Sequence, residues 1–555
     1  MVRLLNLFLH SWQKFNIKQK VLFVFLIIAF VIGIIWTTIN ILKSITVIVP
    51  RKGGELKIGL TSRINSLNPI LTVSNDTDRD LINLIYNGLF EVDGKGNIIP
   101  SLADKVEISS DQKEYTVFLK DNVFWHDGVP FTSDDVIFTI SSIQNPLIKS
   151  PLRLTWQGVT VEKISNSVVR FHLQNPYEPF VQNLTLKIIP KHIWEDINPY
   201  QIYYNEYNLK PIGTGPYLFN NLEKDKKGNI TSYSLIANEN YFLEPAKITN
   251  LTFIFYKDYE SAKQALLKKQ INSLAPISID DYNFFENKKD FNVYKLYLPR
   301  YYAVFFNFNN SLFQNKDLRK ALNLAVDRNY LVQEIFKNQA FPLTTPISPN
   351  FFGYTEIKQN VDISQAQQII NQIKNSKNGP KEIKFNLYLP DTEELIKVAN
   401  YLKDSWQKIG VEITINPLSL SDLQKNIIQS RDYDALLFGE VINQDPDLFA
   451  FWHSSQVNDP GLNLSMYKNP DLDKLLEEVR QISNQDTRKQ DLEKIQTILF
   501  NDSPAIFLYN PFYLYLLPNK VKGIDFIISN LPSERYNNIN NWYLFTKRIL
   551  KSSTH

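Results

Sequence analysis

The 555-residue sequence contains no cysteine. That absence excludes disulfides, thiolate nucleophiles, thiolate metal sites and iron–sulfur clusters. It also excludes membrane attachment through a lipidated cysteine. The chain has no fixed-period repeat, no low-complexity tract and no heptad series. It has no charge imbalance either: 60 Lys and Arg face 57 Asp and Glu. Nucleic acid requires a concentrated basic face, and a chain this close to neutral gives no sign of one. The six histidines, His10, His126, His172, His192, His453 and His555, include no pair at i+3 or i+4. No metal site, no cofactor and no catalytic residue is expected.

What is present begins with a long apolar run. Val21 to Leu42 (VLFVFLIIAFVIGIIWTTINIL) carries no charged side chain. As a helix it would span about 33 Å, enough for a hydrocarbon core. A cleaved secretory signal has a shorter apolar region followed by small residues, and neither feature occurs here. The run reads as an uncleaved signal anchor with a cytoplasmic segment 1–20 and the rest of the chain outside the cell. Arg3, Lys14, Lys18 and Lys20 precede it and Lys43, Arg51 and Lys52 follow, so charge favours that orientation only narrowly. The remainder, in a chain that is 44% hydrophobic and 21% charged, is too long for one core. At least two lobes are expected.

Periodicity gives an α/β chain. Glu55 to Leu60 alternates as a strand, and Leu81, Leu84 and Ile85 mark a helix that ends at Asn87-Gly88. Ile383 to Leu389, Val411 to Ile415 and Tyr433 to Phe438 read as strands. Helical spacings at Leu395–Trp406 and Leu420–Gln429 separate them, the signature of a parallel sheet with crossover helices. A shorter echo occupies Leu251 to Leu274. Asn469-Pro470-Asp471 opens a helix, with Asn469 as cap and Pro470 at the first helical position.

One stretch looks reactive: VFWHDGVPFTSDDV, Val123 to Val136, sets His126 beside Asp127 and two further carboxylates. Each residue also has a structural reading. Asp127-Gly128 is a hairpin-turn pair. Thr132 and Asp135 form an acidic capping box, with Phe131 and Val136 as its hydrophobic staple. Catalysis would need a base held against a nucleophile, and a metal would need converging ligands. Neither partner set is present, so the cluster reads as architecture.

Several motifs then occur in a fixed order: Leu67-Asn68-Pro69, Leu84 to Leu89 (LIYNGL), Ile99 to Ala103 (IPSLA), Phe124 to Gly128 (FWHDG), Pro211 to Tyr217 (PIGTGPY), Leu318 to Asp327 (LRKALNLAVD) and Asp445-Pro446-Asp447. In this order the chain resembles the family 5 extracellular solute-binding proteins, the peptide- and nickel-type receptors of ABC importers, over residues 54 to 515. The resemblance implies a type II periplasmic-binding-protein fold of two lobes with a domain inserted in the first. The expected layout has a span at 21–42, a linker at 43–54, and the first lobe at 55–89 and 205–300. The insert falls at 90–204, the second lobe at 301–510, the return to the first lobe at 511–545 and a tail at 546–555.

The implied function is binding without chemistry: a monomeric, membrane-moored receptor that takes a peptide or other small solute between its lobes and delivers it to permease and ATPase subunits. Candidate ligand residues are Asn65, Asn68, Thr214, Tyr301, Asn307, Glu440, Asp445 and Trp452. Turn capping for the asparagines and a core position for Trp452 stand as alternatives. Peptide-binding members carry an aspartate four residues before the proline of the Asp445-Pro446 region, and it pairs with the ligand's amine. Here that position is Ile442, so Glu440 or Asp445 must replace it, or the ligand lacks the amine. Two rivals remain, a sensor or adhesin with the same fold and a cleft hydrolase built on paired carboxylates.

Overall fold

A computed structural model describes residues 16–71, 75–377, 379–443 and 445–551. Arg3, His10, Lys14 and His555 lie outside the described residues. Contacts divide the chain into two units, residues up to 53 with those from 543 onward, and residues 54–542.

In the first unit, Ile17–Ile45 forms a 29-residue helix, longer than the apolar run alone indicates. Asn16 caps it: the Asn16 side chain accepts from the Gln19 amide at 2.9 Å, and the Gln19 side chain accepts from the Asn16 amide at 3.0 Å. None of its residues is buried, and by length and composition it can cross a membrane. The stretch expected as a linker is instead a strand. Thr46–Arg51 follows the helix directly and pairs antiparallel with Phe545–Leu550, from Thr46 opposite Leu550 to Arg51 opposite Phe545.

The second unit is built on two sheets. The first has seven strands in the order Phe291–Leu296, Tyr513–Pro518, Ser273–Leu274, Glu55–Leu60, Asn250–Phe255, Ile230–Ala237 and Tyr217–Lys224. The second has six: Ala340–Pro342, Ala505–Pro511, Arg300–Phe306, Ala435–Val441, Ile383–Pro390 and Val411–Leu418. The chain crosses between the sheets twice, at 297–299 and at Phe512, and each crossing joins strands that neighbour the other crossing's strands. In the second sheet, Ile383–Pro390 runs parallel to Val411–Leu418 and to Ala435–Val441. The helix Glu393–Gln407 connects them, burying Leu395, Val398, Leu402 and Trp406. Apolar cores lie on both faces. Val304 and Phe306 belong to one, and Tyr301, Ala303 and Phe305 to the other.

Between Phe90 and Tyr204 sits a separate antiparallel sheet of four strands, Ala103–Ile108, Glu114–Leu119, Val168–His172 and Thr160–Ser165. The helix Ser133–Gln144 packs beside it behind the capping box read from sequence. Asp135 accepts from the Thr132 amide at 2.9 Å, and Thr132 Oγ1 from the Asp134 amide at 3.3 Å. His126 is fastened to the Gly213-Thr214-Gly215 segment. Its Nδ1 accepts from the Gly213 amide at 3.2 Å and its Nε2 meets the Gly215 carbonyl at 3.0 Å. An imidazole that accepts at Nδ1 and donates at Nε2 is neutral, and burial pushes the His126 pKa down to about 4. The two glycines are required by close approach. A Cβ at Gly213 would lie 1.9 Å from the Ile85 carbonyl oxygen, and one at Gly215 2.6 Å from it.

Candidate ligand-binding site

In open α/β sheets the C-terminal ends of parallel strands border the binding crevice. In the second sheet these ends are Pro390, Leu418 and Val441. There a cavity of about 360 Å³ opens against both crossings, with Arg300 and Pro511 in its wall. Its aromatic side is Tyr302 stacked on Tyr509, ring centroids 5.0 Å apart and planes 6° from parallel. Gly439 stands opposite Tyr302 in the ladder. A Cβ there would come within 2.8 Å of the Tyr302 ring, so glycine keeps that aromatic face uncovered. Arg300 donates from Nη2 to the Pro511 carbonyl at 3.1 Å, while its Nε is buried without a hydrogen-bond partner. Glu394 lies at the solvent-exposed mouth, and Leu420 and Val441 leave apolar side chains open there. The first lobe reaches the same helix, through Asp280 paired with Lys397 at 3.1 Å.

A second contact zone joins the four-stranded domain to the second lobe. Arg488, 1% exposed, pairs with Glu178 at 3.0 Å and with Asp445 at 2.5 Å. Its guanidinium also lies over the Phe352 ring. Arg480 pairs with Asp447 at 3.2 Å, and Tyr177 donates to the same carboxylate at 3.2 Å. The Glu178 amide donates to the Arg480 carbonyl at 3.0 Å. Burial, then the neighbouring Asp445 charge, pushes the Glu178 carboxyl up to about 7. A cavity of about 190 Å³ lies beside this cluster, bordered by Lys95 and Gln182 on one side and Phe352 and Asp445 on the other.

An aromatic wall, one guanidinium and an exposed carboxylate can hold an amphipathic solute. Among the described residues, no three His, Asp or Glu side chains converge as metal ligands would. Residues 97–460 match the family described as bacterial extracellular solute-binding proteins, family 5 Middle. The chain belongs to that family. Among family 5 relatives, it is 28% identical to the oligopeptide-binding protein AppA of Bacillus subtilis, over 89% of this chain and 92% of AppA. The crystal structure of AppA with a nonapeptide superposes with a TM-score of 0.73 at 26% identity, covering 90% of this chain and all of AppA. The ABC transporter substrate-binding protein CtaP of Listeria monocytogenes gives 0.79 at 28% identity, covering 89% and 100%. NikZ of Campylobacter jejuni, solved with Ni(L-His), gives 0.72 at 28%, covering 88% and 99%. The type II periplasmic-binding-protein fold expected from the motifs is thus the observed one.

Within this family 5 frame, the residues singled out from sequence fall in separate places. Asn65 is exposed in its loop, its amide donating to Asp78 at 2.9 Å. Asn68 is buried, accepts from the Ile70 amide at 3.2 Å and leaves Nδ2 without a partner. Thr214 is buried and donates to Asn87 at 3.1 Å. Tyr301, Glu440 and Trp452 do come together, Tyr301 and Trp452 within the core and Glu440 also among the residues bordering the cavity. Tyr301 donates to the Glu440 carboxyl, which burial holds far above the usual carboxylate range. Trp452 stacks on Phe305 at 6.1 Å. Asn307 is taken up at the far end of that strand, donating to the carbonyls of Arg431 and Tyr433. Asp445 is held by Arg488. Ile442 is 2% exposed, in the apolar cluster with Trp452.

Parity separates Tyr301 from Tyr302. Neighbours on a strand face opposite sides, so Tyr302 stands in the cavity wall and Tyr301 in the core. Arg300, Glu394, Gly439 and Tyr509 were missed as well. Cores on both sheet faces erase the polar alternation that would have marked Tyr302.

Proposed function

We propose that this family 5 protein is a membrane-anchored receptor that binds a peptide or peptide-like solute between its lobes and passes it to the permease of an ABC importer. The observation that carries the reading is the cavity at the crossings, where Tyr302 and Tyr509 form a flat apolar wall with Arg300 and Glu394 beside it. A short peptide presents a carboxylate, an amine and side chains, and these three features answer it in turn. Glu440 is occupied by Tyr301 and Asp445 by Arg488. We therefore assign the amine to Glu394 and the carboxylate to Arg300. The nonapeptide complex of AppA supports the ligand class.

Binding shifts the lobes toward each other because the ligand gains contacts only when both engage it. The unburied helix Ile17–Ile45 is the mooring, with residues 1–20 cytoplasmic and the lobes outside. Tethering keeps the receptor at high local concentration near its transporter. The lobes are assigned to 55–89 with 205–300, and to 301–510, with 90–204 as the insert.

The test is thermal stabilisation and native mass spectrometry of the detergent-purified chain against dipeptides, longer peptides, sugars and metal chelates. A peptide should raise the melting temperature, and Arg300→Ala and Glu394→Gln should each weaken its binding by roughly tenfold or more. No stabilisation by any ligand in the panel would reject the receptor reading. Stabilisation untouched by either substitution would reject the residue assignment alone.

A further inference from the structure

We propose that the ribbon formed by Thr46–Arg51 and Phe545–Leu550 is a membrane-surface element that binds anionic phospholipid headgroups, an inference that rests on the anchor reading above. The first observation is continuity. The helix ends at Ile45 and the strand begins at Thr46, so the ribbon leaves the bilayer with no intervening linker. Six residue pairs in register extend it by about 20 Å. The second is charge. Residues 43–53 and 543–551 carry Lys43, Arg51, Lys52, Lys547, Arg548 and Lys551 and contain no Asp or Glu. Cations gathered this way next to a membrane helix call for an anionic surface.

The third is exposed apolar surface between those charges. Ile48, Phe545 and Leu550 are 59%, 48% and 53% exposed. On one face Ile48 lies opposite Arg548 and Thr46 opposite Leu550; on the other, Val49 lies opposite Lys547 and Arg51 opposite Phe545. Each face thus mixes apolar and cationic side chains. An isolated two-stranded ribbon is marginal in water. The headgroup layer accommodates this mixture, taking the apolar side chains inward while the lysine and arginine heads meet phosphates.

Because the chain lacks cysteine, Thr546→Cys gives a single attachment point for a spin label on the ribbon. The full chain is placed in nanodiscs of phosphatidylcholine alone and of phosphatidylcholine with phosphatidylglycerol. Collision of the label with a water-soluble nickel chelate is then measured. Phosphatidylglycerol should lower the collision rate roughly threefold, and about 0.5 M salt should reverse the effect. The neutralised variant R51Q/K547Q/R548Q, carrying the same label, should show no response to lipid charge. A second label at Pro50→Cys guards against a local effect of the first. Labels equally exposed in both discs, with the protein disc-bound, would overturn the ribbon proposal alone and leave the cations to an acidic protein partner. Protein eluting free of the discs would overturn the anchor reading and the proposal with it.

Discussion

Arg535 has no exposed surface, yet among the described residues one carboxylate alone neutralises its charge at contact distance. Asp80, itself 2% exposed, receives both guanidinium arms. The rings of Tyr513, Tyr515 and Tyr536 surround the guanidinium, with centroids 4.3 to 5.4 Å away. The pair fastens the returning segment Pro532–Tyr536 to the helix Asp76–Ile85. Two buried charges stabilise little as a pair, but removing one strands the other. Asp80→Asn should therefore cost about 3–5 kcal/mol in denaturant unfolding, whereas replacing both residues with apolar ones of similar volume should cost far less. A loss below about 1 kcal/mol for the single change would show that Arg535 finds water or another acceptor.

At the scale of elements, the strand Arg300–Phe306 and its partner Ala435–Val441 decide what the cavity is. Val in place of Gly439 would drive a methyl-bearing carbon against the Tyr302 ring and force it off its stacking on Tyr509. Gly439→Val should weaken peptide binding by roughly tenfold or more while unfolding changes much less, read by calorimetric titration beside a melting curve. Peptide affinity surviving unchanged would place the ligand elsewhere. The same strand shows where sequence reading runs out. The Thr132–Asp135 box and the Asn469 cap were legible because their partners lie within three residues, and the strand–helix alternation of the second lobe follows from local period alone. The facing of Tyr301 and Tyr302 was not, since both sides of their sheet are apolar cores. The ribbon was read as linker and tail for another reason. Thr46 and Leu550 pair across almost the whole length of the chain, and nothing local announces such a pairing.

At the scale of the whole receptor, two thin crossings at 297–299 and Phe512 leave the lobes free to move unless other contacts restrain them. The contact around Arg488 is such a restraint, because it ties Glu178, from the stretch that holds the four-stranded sheet, to Asp445 and Arg488, from the stretch that holds the six-stranded one. The groups facing Glu178 are these two, the Gln485 amide at 3.1 Å, and Tyr115, whose own pKa its charge helps to raise. Burial and then the charge of Asp445, which shares the guanidinium, hold the Glu178 pKa at about 7 in this contact, above the ordinary 4.5, so a proton on Glu178 relieves both. A group whose pKa is higher in the joined state binds its proton more tightly there. Lowering the pH from about 8 to 5 must therefore favour the joined lobes, with the gain complete below the free carboxyl value and absent well above 7. Because Glu178 remains partly exposed, the effect on the joined-to-parted ratio should be on the order of tenfold rather than the full value of the shift. Inter-lobe distances between paired spin labels, on the ligand-free chain, should shorten on acidification. Glu178→Gln should hold the shorter distance at every pH. Distances that lengthen in acid, or a response that Glu178→Gln leaves intact, would assign control of the lobes to other contacts.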